Sequence, residues 1–328
     1  MLNKAIIKGT GSYVPNNIIT NEELEVRVDT NSKWIFENLG IKERRILDDN
    51  QSTSDLGFYA GLNAIHDAFL TPSDIDMIIV ATATPDRKEP STASIIQNKL
   101  SATNAIAFDI NAVCSGFLFA QNIACQYIYS GQYNNILVIG ADSFSRITNW
   151  SRRDSVFFGD GAGAVVISRN NNVEGFLSHR LYTDTNNDMY GFTIPGGGTE
   201  IPLNSHNLNE QYFLMNGKSV FNMAVKSLPI AINSVLNDAS LNINDIDYMI
   251  PHQPSIRILK ETANIIGLPF KKVMTNMDKY ANTSSATIPL LLDEVNKSGK
   301  LKNNNLILFV AIGSGWTYGA SILKWHKI

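Results

Sequence analysis

The sequence contains an internal repeat, and this repeat restricts the possible folds more than any other feature. The segment HDAFLTPSDIDMIIV (residues 66–80) matches NDASLNINDIDYMIP (residues 237–251) at a constant offset. A second pair follows in the same order, SGQYNNILVIGA (residues 130–141) and SGKLKNNNLILFVA (residues 298–311), each with a Ser-Gly helix stop, a polar turn and a fully apolar strand. Chance recurrence of a short Asp-Ile-Asp motif is the alternative, but two matched segments in one order favour a duplicated structural unit.

Each half of the repeat has the pattern of alternating helices and strands. It predicts a helix (residues 57–70 and 218–239), then a buried strand (residues 76–82 and 247–251), then helix, strand, helix and strand. Strand segments such as MIIVATA and NILVIGA are continuously apolar, which indicates that helices cover both faces of each sheet. The expected fold class is therefore a layered, pseudo-symmetric α/β protein.

The length of the chain also fits two halves. At 328 residues it exceeds the size at which a single hydrophobic core usually stops growing. The polar, turn-rich stretch SRNNNVEG gives the best boundary, near residue 170. We expect one half at residues 1–170, with the candidate nucleophile, and the other at residues 171–328.

Charge and hydropathy argue against nucleic-acid and membrane partners. The formal net charge is -3, and basic and acidic residues are interspersed along the chain. No N-terminal stretch has the form of a leader, and no apolar run approaches the roughly 20 residues that span a bilayer. These features predict a cytoplasmic protein. The two cysteines, Cys114 and Cys125, lie about 16 Å apart if they share one helix, too far for a disulfide, so both should be reduced.

Cys114 occupies a position that suits a nucleophile. It follows a strand pattern (residues 106–110) and precedes a helical one, so it should lie at a strand-to-helix corner. Unpaired N–H groups and the positive end of a helix dipole at such a corner favour a thiolate. The alternative is simple packing, because cysteine is among the most buried residue types. Cys125 falls inside an amphipathic helix and is expected in the core.

Two more junctions of this kind carry groups that could assist a thiol. His252 directly follows the strand IDYMIP and precedes a helix, at the sheet edge where α/β sites gather, whereas its repeat counterpart is Ala81. A satisfied core histidine is the alternative. Asn282 also precedes a helix, where it is either a functional amide or an ordinary N-cap. Near the C-terminus, a glycine turn (residues 313–319) could aim backbone N–H groups at an oxyanion.

Eight segments spread along the chain carry a resemblance to a known family. They are GTGSYVP (9–15), DTNSKWI (29–35), GIKERR (40–45), AVCSGF (112–117), FGDGAGA (158–164), PHQPSIRI (251–258), NTSSATIP (282–289) and GSGWTYG (313–319). Together they resemble β-ketoacyl-acyl-carrier-protein synthase III, a condensing enzyme of the thiolase superfamily. The resemblance implies a duplicated, five-layered αβαβα thiolase-like fold, a homodimer, and a catalytic triad of Cys114, His252 and Asn282.

The resemblance also implies the chemistry. Cys114 takes an acyl group from a thioester, and a malonyl thioester then loses carbon dioxide to give an enolate that attacks the acyl-cysteine. His252 and Asn282 suit the enolate oxygen as donors, and the backbone N–H groups of Cys114 and Ser314 suit the tetrahedral oxyanion. No metal or redox cofactor is required. The implied partners are acyl carrier protein and an acyl-coenzyme A.

The resemblance further implies where the substrates bind. Five residues fall at positions of the family's coenzyme A site: Trp34, Arg152, Gly217, Phe221 and Ser255. In the family pattern, Trp34 stacks on the adenine with Arg152 opposite it. Arg257 and Lys260 form a small basic patch suited to the acidic carrier protein, although two exposed basic residues are also ordinary surface.

Three departures from the family pattern leave the acyl donor open. Asn38 stands where the pattern has an arginine that meets the nucleotide phosphates. Ser255 replaces an asparagine that touches the pantetheine. Glu89 falls where the partner subunit offers an apolar residue to the acyl pocket, so either Glu89 points away or the acyl group is short or polar.

Two functions follow from these residues. The first is decarboxylative condensation of an acyl thioester with malonyl-acyl-carrier-protein, which starts a fatty acid or a related specialised acyl chain. The second is a relative that kept the triad but transfers an acyl group to an oxygen, a nitrogen or another carbon nucleophile. Release of carbon dioxide distinguishes the two.

Overall fold

The computed structural model describes residues 3–327, and thirteen strands are present in this range. They are β1 (Ala5–Tyr13), β2 (Asn17–Thr20), β3 (Glu43–Ile46), β4 (Met77–Ala81), β5 (Ile106–Ile110), β6 (Asn135–Ser143), β7 (Asp160–Arg169), β8 (Phe176–Thr183), β9 (Phe192–Thr193), β10 (Leu214–Met215), β11 (Tyr248–Pro251), β12 (Leu306–Gly313) and β13 (Thr317–Lys324).

Nine α-helices connect these strands within residues 3–327. They are α1 (Asn21–Glu25), α2 (Ser32–Leu39), α3 (Thr53–Asp67), α4 (Thr92–Leu100), α5 (Gly116–Ser130), α6 (Gly217–Asp238), α7 (Ile256–Ile266), α8 (Met277–Tyr280) and α9 (Thr287–Lys297). Short 3₁₀ turns precede α5 and α9, at Val113–Ser115 and Ser284–Ala286.

The strands form two main sheets. The first has the order β1-β7-β6-β4-β5, with β4, β5 and β6 parallel. The second has the order β11-β12-β13-β8, with β11 and β12 parallel. Strands β4 and β12, which each have a parallel neighbour, are buried and continuously apolar because helices cover them on both faces. The segment 170–175 joins the last strand of the first sheet to the first strand of the second.

Five layers result from the way the helices pack on these sheets. Helices α3 and α4 cover the outer face of the first sheet, and α6 and α7 cover the outer face of the second. Helices α5 and α9 lie between the sheets and contact both, within one shared apolar cluster. The αβαβα architecture expected from the sequence is confirmed.

The repeat is visible in matched backbone contacts. Asp76 and Asp247 are 171 residues apart, and each carboxylate accepts from the first residue of the neighbouring strand, Asn135 and Leu306, at 2.9 and 2.8 Å. Those two donor residues are also 171 apart. Strand β6 therefore corresponds to β12 with Ala141 on Ile312. The turns that precede the two strands differ in length, which hides this register in the sequence.

Helix α6 is the one helix within residues 3–327 that is long and apolar enough to cross a bilayer by length and composition. Half of its apolar window is buried inside the protein. Its buried side chains belong to the apolar cluster that joins the second sheet to α7. It therefore packs as a core helix of this fold.

Candidate active site

The three strand-to-helix junctions singled out in the sequence meet at one cavity. It has a volume of about 420 Å³ and is lined by Cys114, His252 and Asn282 together. Phe157, Phe158 and other aromatic side chains form much of the remaining wall. The juxtaposition follows from the repeat, because the carboxyl ends of the central strands of both sheets face the same side of the shared helical layer.

Cys114 lies in the 3₁₀ turn that leads into α5. The preceding residue, Val113, has a φ of 47°, which a β-branched residue rarely adopts, and its N–H donates to Asn111 Oδ1 at 3.1 Å. Within residues 3–327, the side chain that is hydrogen-bonded to the sulfur is Ser284, with Oγ at 3.5 Å. Cys125 is fully buried in α5, as expected, and both thiols are free.

The pKa of the Cys114 thiol is raised, whereas its position in the sequence favours a thiolate. Burial raises the pKa of the Cys114 thiol to about 12, the Ser284 hydrogen bond lowers it, and the charge of Asp142 raises it. The field at the helix start favours a thiolate, but the loss of hydration on burial outweighs it. The resting thiol is therefore protonated, and a thiolate needs stabilisation from its immediate neighbours.

His252 is fixed at the end of β11 by the neighbouring strand β12. Its backbone N–H donates to Val310 O at 2.8 Å, and its side chain is only 3% exposed. The Nδ1 atom lies 2.8 Å from Thr287 Oγ1. Burial lowers the pKa of His252 to about 3, and the Ser284 carbonyl opposes this shift. The imidazole is therefore neutral at physiological pH.

Asn282 is fixed on both sides of its backbone. Its N–H donates to Phe157 O and its carbonyl accepts from Gly159 N, both at 3.1 Å. Its side-chain Oδ1 accepts from Ser284 N at 2.8 Å. Asn282 thus caps the turn before α9, and its Nδ2 is left as the donor on the side of the cavity. The N-cap and the functional interpretations of this residue are compatible.

The glycine turn after β12 completes the cavity wall. A Cβ atom on Gly313 would lie 2.7 Å from Ala112 O and 3.0 Å from Cys114 N, so only glycine fits beside the nucleophile's N–H. Ser314 also lines the cavity. Its hydroxyl donates to Phe192 O at 2.5 Å, which turns the side chain away from the backbone N–H that was predicted to bind an oxyanion.

The mouth of the cavity contains the predicted tryptophan, but a different arginine faces it. The guanidinium of Arg153 lies 4.7 Å from the centre of the Trp34 ring. Arg152 lines the same outer pocket but is paired with Asp154 and donates to the Phe213 carbonyl at 3.1 Å. Arg152 is held by its own turn, and its place opposite Trp34 in a complex with coenzyme A stays a prediction. Sequence reasoning did not identify Arg153, which is the next residue in the chain.

A second set of mouth residues includes Asn38. Its Nδ2 donates to Trp34 O at 2.9 Å, and its Oδ1 accepts from Arg257 at 3.3 Å. The Arg257 guanidinium also lies 5.7 Å from the centre of the Phe221 ring. The position without the family arginine therefore orients another arginine at the same mouth.

The remaining predicted residues lie at or near this mouth. Gly217 is the first residue of α6 and lines both the cavity and the outer pocket. Ser255 lines the cavity, and its hydroxyl also caps α7 by accepting from Ile258 N at 3.3 Å. Lys260 is exposed one turn after Arg257, outside the cavity lining. Glu89 is exposed and does not line the cavity of its own chain.

Comparison with known proteins places these features in a family. Models of 3-oxoacyl-[acyl-carrier-protein (ACP)] synthase III and of its C-terminal part match residues 108–185 and 236–325, which contain Cys114 and the His252–Asn282 pair respectively. A β-ketoacyl-[acyl-carrier-protein] synthase III from Clostridium acetobutylicum is 46% identical and covers 99% of this chain and 100% of its own. The chain belongs to the synthase III family.

Further relatives agree with this membership. A synthase III from Caldanaerobacter subterraneus is also 46% identical, covering 98% of both chains. The crystal structure of 3-oxoacyl-[acyl-carrier-protein] synthase III from Aquifex aeolicus has a TM-score of 0.91 at 39% identity, covering 98% of this chain and 100% of that one. The chain is thus an acyltransferase of the condensing type, as the synthase III resemblance implied.

Several polar residues of this synthase III site were not identified from the sequence. Ser284, Thr287 and Asp142 contact the triad or the turns that carry it. Ser284 lies 171 residues after Val113, so the offset of the internal repeat identifies Ser284 as the counterpart of Val113. Nothing in the local pattern distinguishes Thr287 from an ordinary first residue of a helix.

Proposed function

We propose that the chain condenses an acyl thioester with malonyl-acyl-carrier-protein, releasing carbon dioxide and forming a β-ketoacyl-acyl-carrier-protein. The observation that supports this most is the meeting of Cys114, His252 and Asn282 in one buried cavity. The near full-length identity to proteins named synthase III supports the substrate classes. The reaction draws on side chains and backbone groups of the chain itself and needs no metal or redox cofactor.

The first half-reaction is acyl transfer to Cys114. The thiolate attacks the thioester carbonyl, the C–S bond to coenzyme A breaks, and the proton of the thiol ends on the departing sulfur. The tetrahedral oxyanion accepts hydrogen bonds from the backbone N–H groups of Cys114 and Ser314. Gly313 lies directly beside the first of these donors, since a Cβ on it would lie 3.0 Å from Cys114 N.

The second half-reaction is decarboxylation and carbon–carbon bond formation. The malonyl thioester loses carbon dioxide, and its thioester oxygen becomes an enolate oxygen that accepts from Asn282 Nδ2 and from His252 Nε2. The apolar wall around Phe157 and Phe158 disfavours the malonyl carboxylate, which disappears in this step. The enolate carbon then attacks the acyl-cysteine, and Cys114 leaves as a thiolate.

Coenzyme A and the carrier protein are proposed to reach Cys114 through the same mouth. Trp34 stacked with Arg153 provides a surface for an adenine, and Arg257 provides a cation for a phosphate. Arg257 and Lys260 both project from α7 and suit an acidic carrier protein. Replacing Arg257 by Glu should raise the Michaelis constant for malonyl-acyl-carrier-protein in a salt-dependent manner.

We also propose a cytoplasmic homodimer. Strand β5 lies at the edge of the first sheet, and Ile106 at its start is 46% exposed, which supports pairing with a second copy. The loop that carries Glu89 is exposed in the single chain and so is available to a partner's cavity. Sedimentation equilibrium measures the oligomeric state directly.

One experiment tests the reaction itself. The protein is mixed with acetyl-coenzyme A and with malonyl-acyl-carrier-protein labelled in its free carboxylate, and the released carbon dioxide and the carrier-bound product are measured. We expect equal amounts of carbon dioxide and β-ketoacyl product, and no β-ketoacyl product with Cys114→Ala. Acylation of the protein without release of carbon dioxide would instead indicate transfer to an oxygen, nitrogen or other nucleophile.

A further inference from the structure

The charged side chains of the cavity wall are of one sign, although the chain as a whole is weakly acidic. The formal net charge is -3, yet within residues 3–327 the ionised side chains that line the cavity are Lys218 and Arg257, with no carboxylate among them. The adjoining outer pocket adds Arg152, Arg153 and one carboxylate, Asp154. A concave site that concentrates positive charge in a negatively charged protein attracts an anionic ligand.

Lys218 is the cation of this mouth that has no partner in the described part of the chain. The three arginines each have one: a carboxylate for the first, a tryptophan ring for the second, and an amide and a phenylalanine ring for the third. Lys218 is exposed, and within residues 3–327 its Nζ makes no ion pair, hydrogen bond or contact with an aromatic ring. Lys226, further along the same helix, lies 3.8 Å from a carboxylate oxygen of Asp184.

Lys218 and Arg257 border one aromatic ring. Lys218 lies in the first turn of α6, three residues before Phe221, so both side chains project from the same face of that helix. The Arg257 guanidinium, on α7, lies 5.7 Å from the centre of the Phe221 ring. All three side chains line the cavity. An anion at this ring therefore meets an ammonium from one helix and a guanidinium from the other, an arrangement that suits the several oxygens of a phosphate.

We infer that Lys218 binds the phosphate that joins the pantetheine arm of the thioester substrate to its carrier. Coenzyme A and an acyl carrier protein both hold the arm through such a phosphate, so one ammonium serves both substrates. The malonyl carboxylate is a poorer candidate, because it reacts beside the partly buried Cys114, whereas Lys218 is exposed and follows Gly217, a residue of the outer pocket. This inference rests on the proposed function, since it names a contact of the substrates proposed there.

The test removes the charge of Lys218 and keeps an unbranched side chain. Lys218→Met is the main variant, and Lys218→Arg restores a cation at the same position. Lys226→Met is the matched control, because it removes the charge of another exposed lysine of α6 that lines neither pocket. Thermal unfolding checks that all three variants fold.

Three thioesters with the same acyl group separate the contacts of Lys218. Acetyl-coenzyme A has the nucleotide and the arm phosphate, acetyl-phosphopantetheine has the arm phosphate alone, and acetyl-pantetheine has neither. At low ionic strength and saturating malonyl-acyl-carrier-protein, Lys218→Met should raise the Michaelis constants of the first two by about fivefold to twentyfold, the size of one solvent-screened charge-assisted hydrogen bond, and that of the third by less than about twofold.

Three further results are expected from the same assays. The Michaelis constant for malonyl-acyl-carrier-protein should rise in Lys218→Met as it does for acetyl-phosphopantetheine, because the carrier holds its arm through the same phosphate. Added salt should reduce every one of these increases, and kcat should not change. Lys218→Arg and Lys226→Met should stay within about twofold of the wild type, because the first keeps a phosphate-binding cation and the second removes only an exposed ion pair.

Three results would overturn the inference. Equal increases for all three thioesters would indicate a structural role or a contact with the arm itself. An increase for acetyl-coenzyme A alone would assign Lys218 to the nucleotide phosphates, and unchanged Michaelis constants would make it ordinary surface.

Failure of the proposed function looks different, because wild-type protein would then form no acyl-enzyme or no β-ketoacyl product with any thioester. Calorimetric titration of coenzyme A and of phosphopantetheine into the wild type and Lys218→Met measures the phosphate contact without any reaction. Equal dissociation constants in the two proteins would overturn the inference in that case as well.

Discussion

The two turns at the centre of the molecule share one backbone shape and differ in what they bind. In the first half, Asn111 caps a turn whose next-but-one residue, Val113, has a φ of 47°. In the second half, 171 residues later, Asn282 caps a turn in which Ser284 has a φ of 53°. Each turn continues through a 3₁₀ segment into a helix of the shared layer.

The difference lies one residue further on. Ser285, the counterpart of Cys114, has both of its donors hydrogen-bonded to one carboxylate. Asp142 Oδ2 accepts from its N–H at 3.0 Å and from its hydroxyl at 2.7 Å. The counterpart of Asp142 is Gly313, which has no carboxylate and packs so closely on the turn that a Cβ would lie 3.0 Å from Cys114 N. One turn thus contains a built-in carboxylate oxygen that the other lacks. The comparison indicates that the turn without the carboxylate is the one that carries the candidate nucleophile.

Alanine at the two counterpart positions should give the largest contrast. Cys114→Ala should abolish acyl-enzyme formation, whereas Ser285→Ala should retain it, because Ser285 contacts Asp142 and not the cavity. Intact-protein mass spectrometry after incubation with acetyl-coenzyme A measures both. Acylation of Cys114→Ala at another residue would break the comparison.

Adding a side chain at Gly313 should have the next largest effect. The added methyl group of Gly313→Ala would lie 3.0 Å from Cys114 N, so we expect acylation and condensation both to fall by about 10²- to 10³-fold. Gly198→Ala is the control, since a Cβ there meets nothing within 4 Å. Steady-state rates of both variants test this, and normal acylation by Gly313→Ala would mean that the oxyanion binds elsewhere.

The two capping asparagines separate turn formation from catalysis. Asn111→Ala and Asn282→Ala each remove a cap on the same kind of turn and should lower stability by about 1 kcal/mol. Only Asn282→Ala should also reduce decarboxylation, by about 10²-fold, because its Nδ2 is the proposed enolate donor. The comparison needs thermal unfolding and carbon dioxide release for both variants. Similar losses of activity in the two would assign both asparagines a structural role.

The smallest effect concerns Cys114 and the two turn residues Val113 and Ser284, which both have a positive φ. The rate of Cys114 alkylation by iodoacetamide should rise about tenfold per pH unit between about pH 7 and about pH 10 without a plateau, because burial raises the pKa of this thiol to about 12. Ser284→Gly should slow alkylation by about threefold to tenfold, as the hydrogen bond to sulfur is lost. Val113→Gly, which accommodates the same backbone, should not. A plateau near pH 8 would contradict the raised pKa.

Sequence reasoning identified much of this architecture, for physical reasons that can be stated. Duplicated segments and continuously apolar strands are local signals, so the layers and strands such as Ile106–Ile110 were predicted correctly. The positions of Cys114, His252 and Asn282 at junctions followed from the same pattern. Their roles came from family resemblance and remain proposals, whereas their proximity is now observed.

Other features depend on three-dimensional context that a linear pattern does not carry. The raised pKa of Cys114 reflects its burial by both halves. Arg153, and not Arg152, lies over the Trp34 ring because Arg152 is paired with Asp154 in its own turn. The register of β6 relative to β12 could not be read from the sequence, because the connecting turns differ in length. In a strand, a shift of one residue exchanges the two faces, so side-chain orientation is the least predictable property.

The central helices have a consequence for folding. Helices α5 and α9 each pack on both sheets, so a helix from each half covers the inner face of the other half's sheet. A fragment that ended at 170–175 would keep its strands but would expose a wide apolar face, which invites aggregation. Unfolding should therefore be a single cooperative transition with no half-folded species. In this protein the gene duplication is visible in the sequence, but the duplicated parts are no longer independent.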